Sequence, residues 1–180
     1  MKRLKLPLTI ALLYCLFYFA QCKKSNTDSN GLPAATQEGK NTLGFLLNGQ
    51  PWKPQGNNGT ANLSIDFDAG INNGIFGISA YKIITSTSRQ RFGLGINDSL
   101  NFISVPKTYI LANGTFYGAA FSDDICTIDY FDNTVDRSGS LTITKLDRTN
   151  RIISGTFSAT LTKAGCAAVK ITDGRFDMKF

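Results

Sequence analysis

Whatever chemistry this chain performs must be done without imidazole. It has no histidine, which removes Ser-His-Asp and Cys-His nucleophile pairs, HExxH zinc sites and imidazole proton shuttles. What remains is four cysteines, twelve aspartates, the single glutamate Glu38 and one tryptophan, Trp52. Two carboxylates could hydrolyse a glycosidic bond if they faced each other across roughly 5 to 9 Å, one with a raised pKa. Asp66/Asp68 and Asp123/Asp124 are the pairs close in sequence. Neighbours along a strand point to opposite faces, and Asp123/Asp124 read as a solvated turn, so a carbohydrate-active enzyme built on an Asp pair ranks behind readings without catalysis.

The run Asp66-Phe67-Asp68-Ala69-Gly70-Ile71-Asn72-Asn73 offers Asp66, Asp68 and Asn72 as oxygen ligands for a cation. A calcium loop of the EF-hand type needs a Glu at its twelfth position; that position is Gly77, and the fifth is Gly70. Asp and Asn also close ordinary hairpin ends, here and at Asp132-Asn133-Thr134-Val135-Asp136, so no cofactor is expected. Trp52 follows Gly49-Gln50-Pro51. It could present its face to a sugar ring or a protein partner, or plug the end of a core.

Lys2, Arg3 and Lys5 precede a 15-residue apolar run, Leu6 to Ala20, that stops at Gln21-Cys22. The run is short of the ~20 residues that span a bilayer comfortably, and it reads as an export signal over residues 1–21 rather than an uncleaved anchor. Phe19-Ala20-Gln21-Cys22 resembles a bacterial lipoprotein signal, in which a peptidase cuts before an acylated cysteine. Phe19 stands where Leu is usual, and Gln21 where Gly, Ala or Ser is usual. Cys15 is the rival, but its use would leave Leu16 to Phe19 as an exposed start. Loss of residues 1–21 lowers the net charge from +6 to +3. With Arg89-Gln90-Arg91 as the one dense basic spot, nucleic acid is not an expected partner. Cys126 and Cys166 then remain as an even pair in an oxidising compartment, where a disulfide is the simplest outcome.

Residues 22–41 (CKKSNTDSNGLPAATQEGKN) hold one large apolar residue, Leu32. The composition predicts a flexible tether, roughly 25 Å long on average and about 60 Å when stretched. From Thr42 to Phe180 short runs of alternating apolar residues are separated by Gly, Asn and Asp. Leu43 to Leu47 and Gln50 to Lys53 flank Asn48-Gly49, a strong hairpin signal. Further runs begin at Ala61, Ile75, Phe92, Tyr109, Thr115, Ile125, Leu141 and Ile153, and Asp173-Gly174 is read as a turn between two last strands, Ala168 to Thr172 and Arg175 to Phe180. About ten strands at intervals of 8 to 14 residues and no helix after residue 21 predict a single all-β domain over 42–180. The expected architecture is an antiparallel β-sandwich, with a closed or partly open barrel as the alternative.

Ala35 to Pro54 (ATQEGKNTLGFLLNGQPWKP), with Ser154-Gly155-Thr156-Phe157 and Ile171 to Asp177 (ITDGRFD), resembles a family of uncharacterised Bacteroidota lipoproteins classed as a domain of unknown function. The resemblance covers essentially the whole mature chain. Many relatives have an aromatic residue before the glycine of the first strand, where this chain has Leu43-Gly44. It implies a lipid-anchored, all-β protein of the outer membrane and carries over no catalytic residue. Asp98-Ser99-Leu100 is similar to the triplet at which Bacteroidota attach O-glycans, which makes Ser99 a candidate site. The expectation is a non-enzymatic module that binds a protein or glycan partner and meets the membrane through Cys22. A structural or accessory component without a ligand is the alternative.

Acylation at Cys22 predicts that metabolic labelling with a fatty acid marks the wild type and not Cys22→Ala. Label retained in the variant would move the anchor to Cys15 or elsewhere.

Overall fold

A computed structural model describes residues 27–97, 99–115 and 117–180. Residues 1–21 and Cys22, with the export signal and lipidation expected there, lie outside the described residues. Among the described residues eleven strands form: β1 Thr42–Leu47, β2 Gln50–Trp52, β3 Leu63–Asp68, β4 Ile75–Ile83, β5 Arg89–Ile96, β6 Lys107–Ile110, β7 Tyr117–Ser122, β8 Thr127–Ile128, β9 Val135–Asp147, β10 Ile152–Lys163 and β11 Val169–Lys179. They make a six-stranded antiparallel sheet, β2-β1-β11-β10-β9-β6, and a five-stranded one, β3-β4-β5-β7-β8. Neither closes on itself, so the fold is the sandwich and not the barrel.

Of the two Asx-Gly pairs read as turns joining neighbouring strands, local turn chemistry succeeds at one and is overridden at the other. Asn48 and Gly49, with φ of 49° and 83°, join Leu47 to Gln50 opposite it, the backbone that a two-residue hairpin demands. Asp173-Gly174 does not turn the chain; β11 runs through it. Asp173, at φ 53°, is an extra residue in the ladder. Register slips on both sides, between Gly44/Leu46 on β1 and between Phe157/Ala159 on β10. This is a β-bulge. With partners along both edges, more backbone hydrogen bonds are made by continuing than by turning. The run expected at 125–131 shrinks to Thr127–Ile128, because the Arg137 guanidinium gathers the carbonyls of Asp129 and Asp132 into a turn.

The inner faces meet in one core. Phe45, Phe157 and Phe176 of the larger sheet face Phe76, Ile78, Phe92 and Leu94 of the smaller, all nearly or fully buried. Phe45 stacks on Trp52 at 4.7 Å between centroids, and Phe92 on Phe157 at 5.4 Å. Each such side chain contributes about 1.5–3 kcal/mol on burial. The Cys126–Cys166 disulfide is formed, Cα atoms 5.9 Å apart. It ties the turn before β8 to the turn between β10 and β11, and so staples the two sheets at one end. Closing a loop of 40 residues stabilises by about 4 kcal/mol in the chain-entropy model. Lys163 reinforces the same end through Asp132 (2.9 Å) and the Thr127 carbonyl (2.9 Å).

The segment expected to be a tether is, from Thr27 onward, part of the domain. Leu32 is fully buried, and Pro33 lies so close over Gly44 that a Cβ there would sit 2.5 Å from its ring. Arg175 donates to Asp28 at 2.6 Å. Asp177, 1% exposed, accepts from the Thr36 hydroxyl (2.5 Å), the backbone N–H groups of Glu38 (3.0 Å), Gly39 (2.8 Å) and Lys40 (3.2 Å), and the Ser154 hydroxyl (2.8 Å). Phe176 and Met178 point into the core, so the alternating Arg175 and Asp177 point outward. The strap formed by 27–41 therefore covers the outer face of the six-stranded sheet. A count of apolar residues misses it because carboxylates, not apolar surface, capture its backbone.

Burial opposes ionisation of Asp177, but the hydrogen bonds from Thr36, Glu38, Gly39 and Ser154 outweigh it and hold its carboxyl below the usual carboxylate range. A carboxyl whose folded pKa is depressed adds stability above its unfolded pKa, near 3.9, and loses it as pH falls through the folded value. Asp177→Ala leaves several donors unanswered and should cost about 2–4 kcal/mol at pH 7, read by denaturant melts. The wild type should lose stability more steeply than Asp177→Asn below about pH 4; parallel curves would show that the carboxylate does not hold the strap.

Candidate functional site

The chain leaves room on the outer face of the five-stranded sheet. Phe76, Ile78, Ala80, Phe92, Leu94, Ile96, Ala119 and Phe121 point into the core. The alternating positions carry almost nothing: Gly77 and Ser79 on β4, Gly93 and Gly95 on β5, Gly118 and Ala120 on β7. Register aligns them in two rungs across three strands, Gly77-Gly95-Gly118 and Ser79-Gly93-Ala120. Glycine inside a strand costs about 0.5–1 kcal/mol relative to alanine. Its use there marks a bulge or a close approach by something else.

Part of that approach is made by the chain itself. Tyr130, in the turn after β8, lies across the stripe. A Cβ at Gly93 would collide with its hydroxyl, and one at Gly118 would come within 2.8 Å of its ring. Burial, with a smaller push from the Asp129 carboxylate, raises the Tyr130 phenol above its usual range, so it stays neutral. Gly77 is different: a Cβ there would meet nothing within 4 Å.

Tyr130 divides the face into two hollows. One, of about 330 Å³, is lined by Ser64, Tyr81, Arg91 and Asp129. The Tyr81 hydroxyl fixes its wall, donating within reach of Asn58 Oδ1 (2.6 Å) and the Thr60 carbonyl (2.7 Å). The other, of about 390 Å³, has Gly77 and Gly95 in its floor and Ile75, Asp66, Asn97, Thr115 and Phe131 around it. Both fall in the size range of small-ligand sites. Phe131 is 89% exposed, its ring centroid 6.5 Å from that of Tyr130 at an interplanar angle of 56°. The two rings form an open aromatic corner beside the second hollow.

Of the residues singled out in the sequence, Asp66 lines the second hollow and Arg91, of the basic spot, the first. Trp52, considered as a ligand contact, is 1% exposed, stacked on Phe45 and donating its indole N–H to Gln90 at 2.8 Å. It is a core plug. Contrary to the expectation of opposite faces, Asp66 and Asp68, two apart on β3, share one, but the Asp68 carboxylate accepts from the Gly70 N–H at 2.7 Å as a turn former. The Asn72 amide donates to the Asn97 carbonyl at 3.2 Å. Among the described residues no three His, Cys, Asp or Glu gather into a metal-ligating group. Asp123 caps the Ile125 and Cys126 N–H groups (2.9 and 2.8 Å), and Asp124 accepts from Arg89 N–H (3.3 Å), so this pair is committed to turns. Ser99 is half-buried in a left-handed conformation (φ 62°) at the start of a short 3-10 turn, its N–H donated to the Asn72 carbonyl. Cys126 and Cys166 are used structurally. The glycine stripe and Phe131 were not anticipated. Their one sequence signal is small residues at period two in three successive strands, Gly77-x-Ser79, Gly93-x-Gly95 and Gly118-x-Ala120.

The chain matches no protein-family model, no curated protein and no solved structure. Fold and site together define the class: a two-sheet antiparallel β-sandwich with a glycine-floored hollow on the outside of its smaller sheet.

Since the Asp66 to Asn73 loop is built from turn hydrogen bonds, EDTA should leave the melting temperature unchanged, because a cation bound only to the native state would have added RT ln(1 + [L]/Kd). A drop of several degrees that calcium restores would make the loop a metal site.

Proposed function

We propose that this is an outer-membrane lipoprotein anchored at Cys22 that works without catalysis, binding a partner through the outer face of β3-β4-β5-β7-β8. One observation carries the reading: Gly77 lies in a strand interior above open space, where alanine would fit and would stabilise. A purely structural envelope component has no use for that vacancy, and a ligand does. Of the carboxylate pairs that an enzyme reading needs, Asp123 and Asp124 are both tied up in turns, Asp66 is left without its partner because Asp68 forms a turn, and the chain has no histidine to replace them.

Because no atom crowds a Cβ at Gly77, Gly77→Leu should fold and fill the hollow. Hydrogen exchange of the full chain, with and without envelope extract split into glycan and protein fractions, should show ligand-dependent protection of β4, β5 and β7 in the wild type and none in Gly77→Leu. Equal protection in both, or none in either, would overturn the binding reading.

A further inference from the structure

We propose that the hollow beside Phe131 binds an uncharged sugar unit of a glycan, its ring stacked on the Phe131 face and its hydroxyls bonded to Asp66 and Ser79. The inference rests on the binding reading and names its ligand. Phe131 supplies the first argument, since a phenyl ring left 89% in water at the rim of a cavity is ready to cover an apolar face. A pyranose ring presents such a face of C–H groups with hydroxyls around its edge.

The second argument is the floor. Gly77 and Gly95 bring bare backbone to the surface, so a flat ring can lie between floor and aromatic corner where a side chain on β4 would hold it off. The third is unspent hydrogen-bonding capacity. Asp66 and Ser79 are both exposed, and neither side chain engages a partner among the described residues. A carboxylate accepts at both oxygens, which suits two adjacent hydroxyls, and a serine hydroxyl donates and accepts. Charge sets the specificity. Asp66 is the one charged side chain lining this hollow among the described residues, and it would repel a uronate or sulfated sugar, whereas Arg91 belongs to the other hollow. A protein partner fits less well, because the small polar groups around the floor offer no large apolar centre of the kind protein interfaces bury.

The full chain is titrated by calorimetry with neutral hexasaccharides (cellohexaose, maltohexaose, mannohexaose, chitohexaose) and with oligogalacturonate as the acidic counterpart. At least one neutral chain should bind and the acidic one should not. Phe131→Ala, which removes an exposed ring and leaves the core intact, should weaken binding at least about tenfold, Phe131→Trp should restore it, and Asp66→Asn should weaken it several-fold. No binding across the neutral set, preference for the acidic chain, or affinity indifferent to Phe131→Ala would overturn the proposal. If the envelope fraction that protects β4, β5 and β7 proves to be protein, the glycan inference falls while the binding reading stands. If neither protection nor titration is seen, both fall.

Discussion

The carboxylate of Asp177 decides where this domain begins. It is almost completely buried on the outer side of β11, and an ion in that position must be answered by donors or it would be strongly destabilising. Three consecutive backbone N–H groups and two hydroxyls answer it, four of those five donors lying between Thr36 and Lys40 and the fifth on Ser154, all more than twenty residues away in sequence. The carboxylate needs the strap to stay ionised, and the strap is held besides by Leu32, the Asp28–Arg175 pair and single hydrogen bonds from Lys145 to the Gln37 carbonyl and from the Lys179 N–H to Asn41. Without that exchange the outer face of β1, β11 and β10 would be bare and Gly44 would have no Pro33 above it.

Periodicity made most of the sandwich legible. Alternation placed Phe157, Ala159 and Leu161, and Phe176 and Met178, on buried faces, and Asn48-Gly49 located the first hairpin to the residue. The misreadings share one cause: local chemistry was judged without its tertiary partners. Asp173-Gly174 has the residues of a turn and became a bulge because β1 and β10 pair with β11 on either side of it. The segment 27–41 has the composition of a tether and became a strap because Arg175 and Asp177 of β11 hold it. Trp52, read first as a core plug and second as a ligand contact, is the plug, stacked on Phe45.

The candidate site was almost illegible for a different reason. Sequence reading looks for reactive side chains, and this site is made by leaving side chains out. Gly93 and Gly118 make room for Tyr130 and can be explained by packing alone. Gly95 would bring a Cβ to 2.9 Å from the Phe76 carbonyl, so the ladder itself demands it. Gly77 has neither excuse. Only the three-dimensional register, which lines these positions up across β4, β5 and β7, separates the glycine that is free from those that are forced.

Strap and hollow lie on opposite outer faces, and this bears on how the proposed anchor would present the site. With acylation at Cys22, only residues 23–26 separate the lipid from the first clasped residue, Thr27. Five backbone steps reach at most about 17 Å, against the ~60 Å that a free tether up to Asn41 would have allowed. The domain is then held close to the bilayer by the side on which the strap enters. Two sheets packed about 10 Å apart stand between the strap and the hollow. An anchor so short therefore keeps the six-stranded face near the lipid and turns Phe131 and the glycine floor toward whatever the membrane faces.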